Sequence, residues 1–375
     1  MIKERNYSID ALRILSMLMI VILHSVSHGT SGNHNLEGVN VYSLWFRILS
    51  SICLLAVNIY VLISGYFLVN EKFRISKLFK MIVETAFYSW IIIILKYFFY
   101  NGVGIDAQSL ISAFLPISYN VYWFVSAYVG MYILFPVVNL LVHGITRKQH
   151  LGVILILVSY FSLWNSVIPF SQPMGINRFG YSVIWFLVLY LIAAYIRLYV
   201  TNFSTKKICL FFILTIAFIN FSWLALSLVG IMLGISISSV FTEYYYHYNS
   251  FPVLIASVSF FLLFKNVCIK SDVIRKIIRF ASPLCFGVYL IHDNPNIRDI
   301  VWSFLPQYET LSISYPFVVA FYALAIFIGC LFIDYFRSVL FGIINRREWY
   351  KALLAKADAF VYSAYNVITS RLLNR

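Results

Sequence analysis

Ten apolar runs, each close to twenty residues long, constrain this chain more than any other feature. They lie at roughly 9–28, 44–69, 78–100, 121–142, 150–169, 181–200, 207–229, 251–268, 283–305 and 315–341. A helix needs about 20 mostly apolar residues to cross the hydrocarbon layer, and each run meets that length. The first is not a cleaved leader, because it is too long for a signal-peptide core, contains Arg13 and has no small-residue cleavage site after it. The stretch 207–241 has room for a helix and a half-helix, with Gly230 and Gly234 as candidate breaks.

Composition agrees with the runs. Of 375 residues, 62% are hydrophobic and only 11% charged, so the chain cannot cover its own surface with polar groups. A water-soluble globule, collagen, a disordered chain and a disulfide scaffold are excluded. Cys53, Cys209, Cys268, Cys285 and Cys330 lie in or beside apolar runs, without zinc spacing, and read as buried thiols. No metal is expected.

The net charge of +14 follows from 28 Lys+Arg against 14 Asp+Glu. In a soluble protein it would suggest nucleic acid; here it tests topology. With the N-terminus inside, the inner segments hold Lys72, Arg74, Lys77 and Lys80, then Arg147 and Lys148, then Lys206 and Lys207, then Lys270, Arg275, Lys276 and Arg279. The inner end of the tenth run and the segment after it hold Arg337, Arg346, Arg347, Lys351, Lys356, Arg371 and Arg375, while the outer loops contain only Arg178. An odd number of spans would destroy this asymmetry. The expectation is an all-α polytopic membrane protein of about ten transmembrane helices with both termini cytoplasmic. Residues 1–344 form the transmembrane domain, and 345–375 a basic amphipathic cytoplasmic tail, either an interfacial helix or a weakly ordered extension. Membrane lipid is an expected partner and nucleic acid is not; oligomeric state is not readable.

Ionisable groups inside the bilayer are costly, so each marks a candidate site. Arg13 and His24 are eleven residues apart, which puts them within about 20° of one helix face and ~16 Å apart along it. Asp10 sits one turn below Arg13 and can pair with it. Arg13 could simply snorkel to the headgroups, and His24 could be a packing histidine; their common face favours a site. Arg74, Lys77 and Lys80, spaced by three, would stack on one face if the third helix begins there, a row suited to phosphates or to ordinary inner-side charge. His292 and Asp293 fall in the middle of the ninth run, as a helix–helix contact or as cavity lining. Ser64-Gly65-Tyr66 permits close helix packing, and Tyr122-Trp123 opens the fourth run in an aromatic belt. The outer segment from Glu243 to Tyr248 could stack on sugars or belong to the same belt.

In combination these features resemble the acyltransferase-3 family of integral membrane O-acyltransferases, the type that acetylates bacterial surface polysaccharides. The likeness rests on Arg13 and His24 with ten residues between them, Ile63-Ser64-Gly65-Tyr66-Phe67-Leu68, the basic stretch at Arg74 and Lys77, Tyr122-Trp123-Phe124, and Phe286-Gly287-Val288-Tyr289-Leu290-Ile291-His292. It covers essentially the whole chain. It implies transfer of an acetyl group from cytoplasmic acetyl-CoA to a hydroxyl of an extracytoplasmic or lipid-linked glycan, in a bacterial inner or plasma membrane. Catalysis would fall to His24, Arg13 and Asp10, and the coenzyme A thioester to Arg13, Arg74, Lys77 and Lys80. Ser64, Tyr66, Tyr122, Trp123, His292 and Asp293 would line the substrate site. Lys77 stands where the family often has Arg, so a bidentate phosphate contact is lost there. The rival from another class is a transporter or flippase using the buried Arg and His groups as a substrate or proton path.

Overall fold

Asn6 starts the first helix. Its side chain accepts the Ile9 N–H at 3.1 Å, and α1 runs from Tyr7 to His24 before widening into a π-turn over Ser25–Gly29. The structure, a computed structural model, describes residues 5–29, 39–101, 104–168, 178–201, 203–234, 243–305 and 314–373. Every regular element among them is helical.

The helices follow the apolar runs closely. The second run forms α2 (Val41–Cys53) and α3 (Leu55–Leu68), and the third forms α4 (Ile75–Phe99). After the short α5 (Ala107–Phe114) come α6 (Trp123–Gly144), α7 (Arg147–Val158) with its continuation α8 (Trp164–Val167), α9 (Val183–Tyr199) and α10 (Thr205–Leu233). The later elements are α11 (Phe251–Lys265), α12 (Asp272–Ala281), α13 (Cys285–His292), α14 (Arg298–Ser303), α15 (Tyr315–Asn345) and α16 (Glu348–Leu373). Seven stretches are long and apolar enough to cross a membrane unaided, and Val183–Tyr199 and Phe251–Lys265 are shorter apolar helices. Nine of the ten runs are therefore matched by a helix.

The ninth run departs from expectation. It breaks between α13 and α14 at Asp293–Ile297, so His292 is the last residue of a helix and Asp293 its cap, not mid-helix groups. The break has local causes. Pro295 has no N–H to donate, and the Asn294 side-chain oxygen takes the Asn296 N–H at 2.9 Å instead. At α10, Gly234 closes the helix in the left-handed region (φ 63°), whereas Gly230 lies inside it. The expected half-helix beyond it falls on residues 235–242, outside the described ones.

The centre of the bundle is α1, which packs against α2, α3, α11, α12, α13 and α15. Its neighbour α3 lies tightly on α9, and Gly65 makes that approach possible: a Cβ there would stand 3.0 Å from the Tyr190 Cα. The outward faces of α4, α10 and α15 carry exposed Phe98, Phe99, Phe221, Phe321 and Phe336, as helices facing lipid do. Helix α16 returns to the start of α4, where the Asp358 carboxylate accepts the Ser76 N–H at 2.9 Å and hydroxyl at 2.6 Å.

Candidate functional site

Two clusters of polar groups sit three turns apart on α1. At the lower one, Arg13 Nη1 donates to Asp10 Oδ1 at 2.8 Å and to Ser282 Oγ at 3.0 Å. Arg5 Nε donates to the other oxygen of Asp10 at 2.6 Å. Asp10 is thus a bracket between two cations, and among the described residues the side-chain hydrogen bonds of Arg13 use only one of its nitrogens. Ser282 opens the 3₁₀ turn Ser282–Leu284 that leads into α13, so the same contact ties α1 to that helix.

The upper cluster closes the other end of α13. His24 Nδ1 lies 3.0 Å from His292 Nε2, and His292 Nδ1 lies 2.6 Å from the Val288 carbonyl oxygen. A carbonyl can only accept, so Nδ1 of a neutral His292 carries the hydrogen and its Nε2 holds a lone pair. His24 must then donate from Nδ1, which leaves its own Nε2 as a free acceptor. The sequence of bonds fixes the tautomer of both rings. Asp293 Oδ1 stands 3.5 Å from the same His24 Nδ1 and 3.8 Å from Arg298 Nη1. His28, one turn beyond His24 on the π-turn, brings its ring centroid to 5.5 Å from that of His24.

Two cavities meet at His24. The inner one, about 320 Å³, runs from Arg13 and Ser282 past Met17, Ile20, Tyr60 and Tyr128 to His24. The outer one, about 580 Å³, is lined by His24, His28, Arg47, Glu243, Asp293 and Arg298, with Trp123, Tyr181 and Tyr248 as an aromatic wall. Leu23, His24, Trp123 and Tyr248 belong to both. The inner wall is mostly apolar and the outer one carries most of the charge.

The sequence-predicted residues divide accordingly. Asp10 and Arg13 lie together at the far end of the inner cavity, and His24, His292 and Asp293 lie together at the junction. Ser64 and Trp123 line the inner cavity. Tyr66 and Tyr122 line neither cavity. Tyr66 takes a hydrogen bond from Arg197 at 3.0 Å, and Tyr122, almost fully buried, donates to the Leu290 carbonyl at 2.8 Å and accepts from Asn294 at 2.6 Å. Both are held by these hydrogen bonds and by packing, away from the walls of these two cavities. Arg74, Lys77 and Lys80 are exposed about the start of α4 and lie outside the inner cavity wall, which begins one residue later at Met81. Arg74 and Lys77 face Glu71 at 3.8 and 3.9 Å.

Four site residues escaped the sequence reading. His28 follows His24 by four, a spacing that places both on one helix face and could have revealed it. Arg47 and Arg298 were absorbed into apolar runs, and Tyr128 had no distinguishing neighbour. His24, His28 and Asp293 each offer a ligand atom within 4.8 Å of the others, so this group could hold a metal ion, which the sequence reading did not anticipate.

The acyltransferase domain model of the acyltransferase-3 family matches residues 6–335. No curated protein and no solved structure matches the chain. The matched span takes in both cavities and, apart from Arg5, both polar clusters, and the chain belongs to the acyltransferase-3 family of membrane acyltransferases.

Proposed function

We propose that this acyltransferase moves an acetyl group from cytoplasmic acetyl-CoA to a hydroxyl of an extracytoplasmic or lipid-linked glycan in a bacterial inner or plasma membrane. The observation that carries this reading is the position of His24 where two cavities of opposite character meet. A thioester with a long, narrow pantetheine arm suits the inner cavity, whose Arg13 is free to meet a phosphate with nitrogens other than Nη1. A sugar suits the outer cavity, which pairs aromatic faces with charged hydrogen-bonding groups.

The chemistry follows from the tautomer. His24 Nε2 takes the proton of the acceptor hydroxyl as its oxygen attacks the thioester carbonyl carbon. The C–O bond forms, the C–S bond breaks, and the imidazolium returns the proton to the departing thiolate. His292 holds the ring of His24 in the tautomer that this step needs. Arg74, Lys77 and Lys80 supply positive charge at the basic surface, where they would guide the donor toward the cavity.

The test is thiol release from acetyl-CoA by the purified protein with a glycan acceptor. His24→Ala should lower it by about 10²–10⁴-fold while the membrane level of the protein is unchanged. Retention of activity by this variant would remove His24 from the mechanism.

A further inference from the structure

The outer cavity contains two guanidinium groups in different states. Arg47 is closely paired: its Nη2 meets Glu243 Oε1 at 2.7 Å, and the group lies 5.7 Å from the ring centroids of both Trp223 and Tyr246. Arg298 is not. Its nearest carboxylate oxygens are Asp293 Oδ1 at 3.8 Å and Asp299 Oδ1 at 3.9 Å, both beyond hydrogen-bond reach. The Asp299 side chain is 90% exposed, and Asp293 is shared with His24 at 3.5 Å. The buried Nε of Arg298 makes no hydrogen bond among the described residues.

The break in the ninth run sets the backbone position of Arg298. Tyr122 accepts a hydrogen bond from buried Asn294, and the Asn294 carbonyl receives the Arg298 N–H at 2.8 Å, starting α14. The turn therefore presents Asp293 and Arg298 side by side on the wall that also carries His24. Neither carboxylate takes a hydrogen bond from this guanidinium, whose side chain is 32% exposed on the wall of the outer cavity, and the planar fork of Arg matches the two oxygens of a carboxylate or phosphate.

We propose that Arg298 is the receptor for an anionic substituent of the acceptor, a carboxylate or a phosphate ester, so that the outer cavity selects acidic glycans over neutral ones. That the ligand is the acceptor rests on the acyl-transfer reading above; the oxyanion site itself does not.

Binding and turnover can be separated. The full-length protein in nanodiscs is titrated with a glucuronic acid–N-acetylglucosamine tetrasaccharide and with its carboxyl-reduced form. Phosphorylated and plain maltotetraose form a second pair. The expected result is binding tighter by about 10-fold or more for the charged member of at least one pair. Which pair discriminates tells carboxylate from phosphate. Arg298→Gln should bring the charged member down to the neutral one while leaving the neutral one unchanged, and Arg298→Lys should keep part of the preference. Equal binding within both pairs, or a variant that weakens charged and neutral sugars alike, overturns the proposal. Charge-selective binding without thiol release from acetyl-CoA would leave the anion site standing and sink the acyl-transfer reading instead.

Discussion

The imidazole of His24 meets that of His292 across 3.0 Å, and the second ring is anchored by the Val288 carbonyl at 2.6 Å. The anchor lies within α13 itself, four residues back, so the orientation of His292 is set by its own helix. The orientation of His24 is in turn set by His292. A short helix thereby dictates which nitrogen of a distant helix is free to take a proton.

His292→Ala should consequently lower turnover although His292 needs no contact with substrate. Without its Nε2, the His24 ring can rotate or donate to Asp293 from Nδ1, and the reacting geometry loosens. A misplacement of this kind can cost on the order of 10²-fold. The measurement is kcat and KM for thiol release, with the loss expected in kcat. A change confined to the KM of the donor would argue against a role through His24.

Arg13 and Asp10 should behave as a unit. Asp10→Asn leaves Arg13 and Arg5 without the carboxylate they share, so Arg13 should wander from the cavity end. Both Asp10→Asn and Arg13→Ala are expected to raise the KM for acetyl-CoA more than they lower kcat. Combined, they should cost much less than the product of the single effects, since they disable one contact. A fully multiplicative double variant would show that Asp10 acts elsewhere.

What was legible in the sequence and what was not divides along physical lines. Arg13 and His24 could be paired from spacing alone because one helix carries both and its period is fixed. His292 was legible as an expensive group in an apolar run, yet its contact with His24 was not, since the two are 268 residues apart in sequence. Hydropathy merged α13 and α14 into one span because Asp293-Asn294-Pro295-Asn296 is short beside its apolar flanks. The turn signal was present in Asn294-Pro295, and an average over about twenty residues concealed it. Arg47 and Arg298 were lost by the same averaging. The hydrogen bonds of Tyr66 and Tyr122 were not legible, because a tyrosine in a span reads the same whether its hydroxyl faces a cavity, a guanidinium or a carbonyl.

Gly287 is a point of close approach between α13 and α15. A Cβ there would stand 2.0 Å from Asp334 Oδ1, and Asp334 cannot yield, being held by Tyr88 at 2.7 Å and by two bonds from Arg337 at 2.7 and 2.8 Å. Gly287→Ala must push α13 away and carry His292 with it. The expected outcome is a loss of about 1–3 kcal/mol in stability together with reduced turnover. Gly152→Ala in α7, where a new Cβ meets nothing within 4 Å, is the control and should be neutral or mildly stabilising. Thermal unfolding in detergent and thiol release would report both effects.

A divalent ion bound by His24, His28 and Asp293 would compete with the proton relay, because it consumes a lone pair or displaces the hydrogen that His24 shares with His292. Added zinc should therefore inhibit, a chelator should restore the rate, and His28→Ala should blunt the inhibition. Loss of activity on chelation alone would reverse the conclusion and make the ion a participant.

The C-terminal helix offers a test away from the chemistry. Asp358 places one carboxylate oxygen on the Ser76 N–H and the other on its hydroxyl, at the first turn of α4, where the helix dipole favours a negative group. Hydrogen bonds to a charged group contribute about 1.5–3 kcal/mol each, so these two anchor α16 more firmly than the other polar contacts near it, such as Lys72 lying 4.6 Å over the Tyr362 ring. Asp358→Ala should release the helix and let its backbone open at Lys351 and Lys356, whose side chains are already exposed, with trypsin cleavage faster by about 10-fold or more. Ser76→Ala removes only the hydroxyl and should accelerate cleavage less. If the double variant is cut no faster than Asp358→Ala alone, both residues act through this one contact. Unchanged cleavage in Asp358→Ala would mean that the apolar side of α16, and not this carboxylate, holds it against α4.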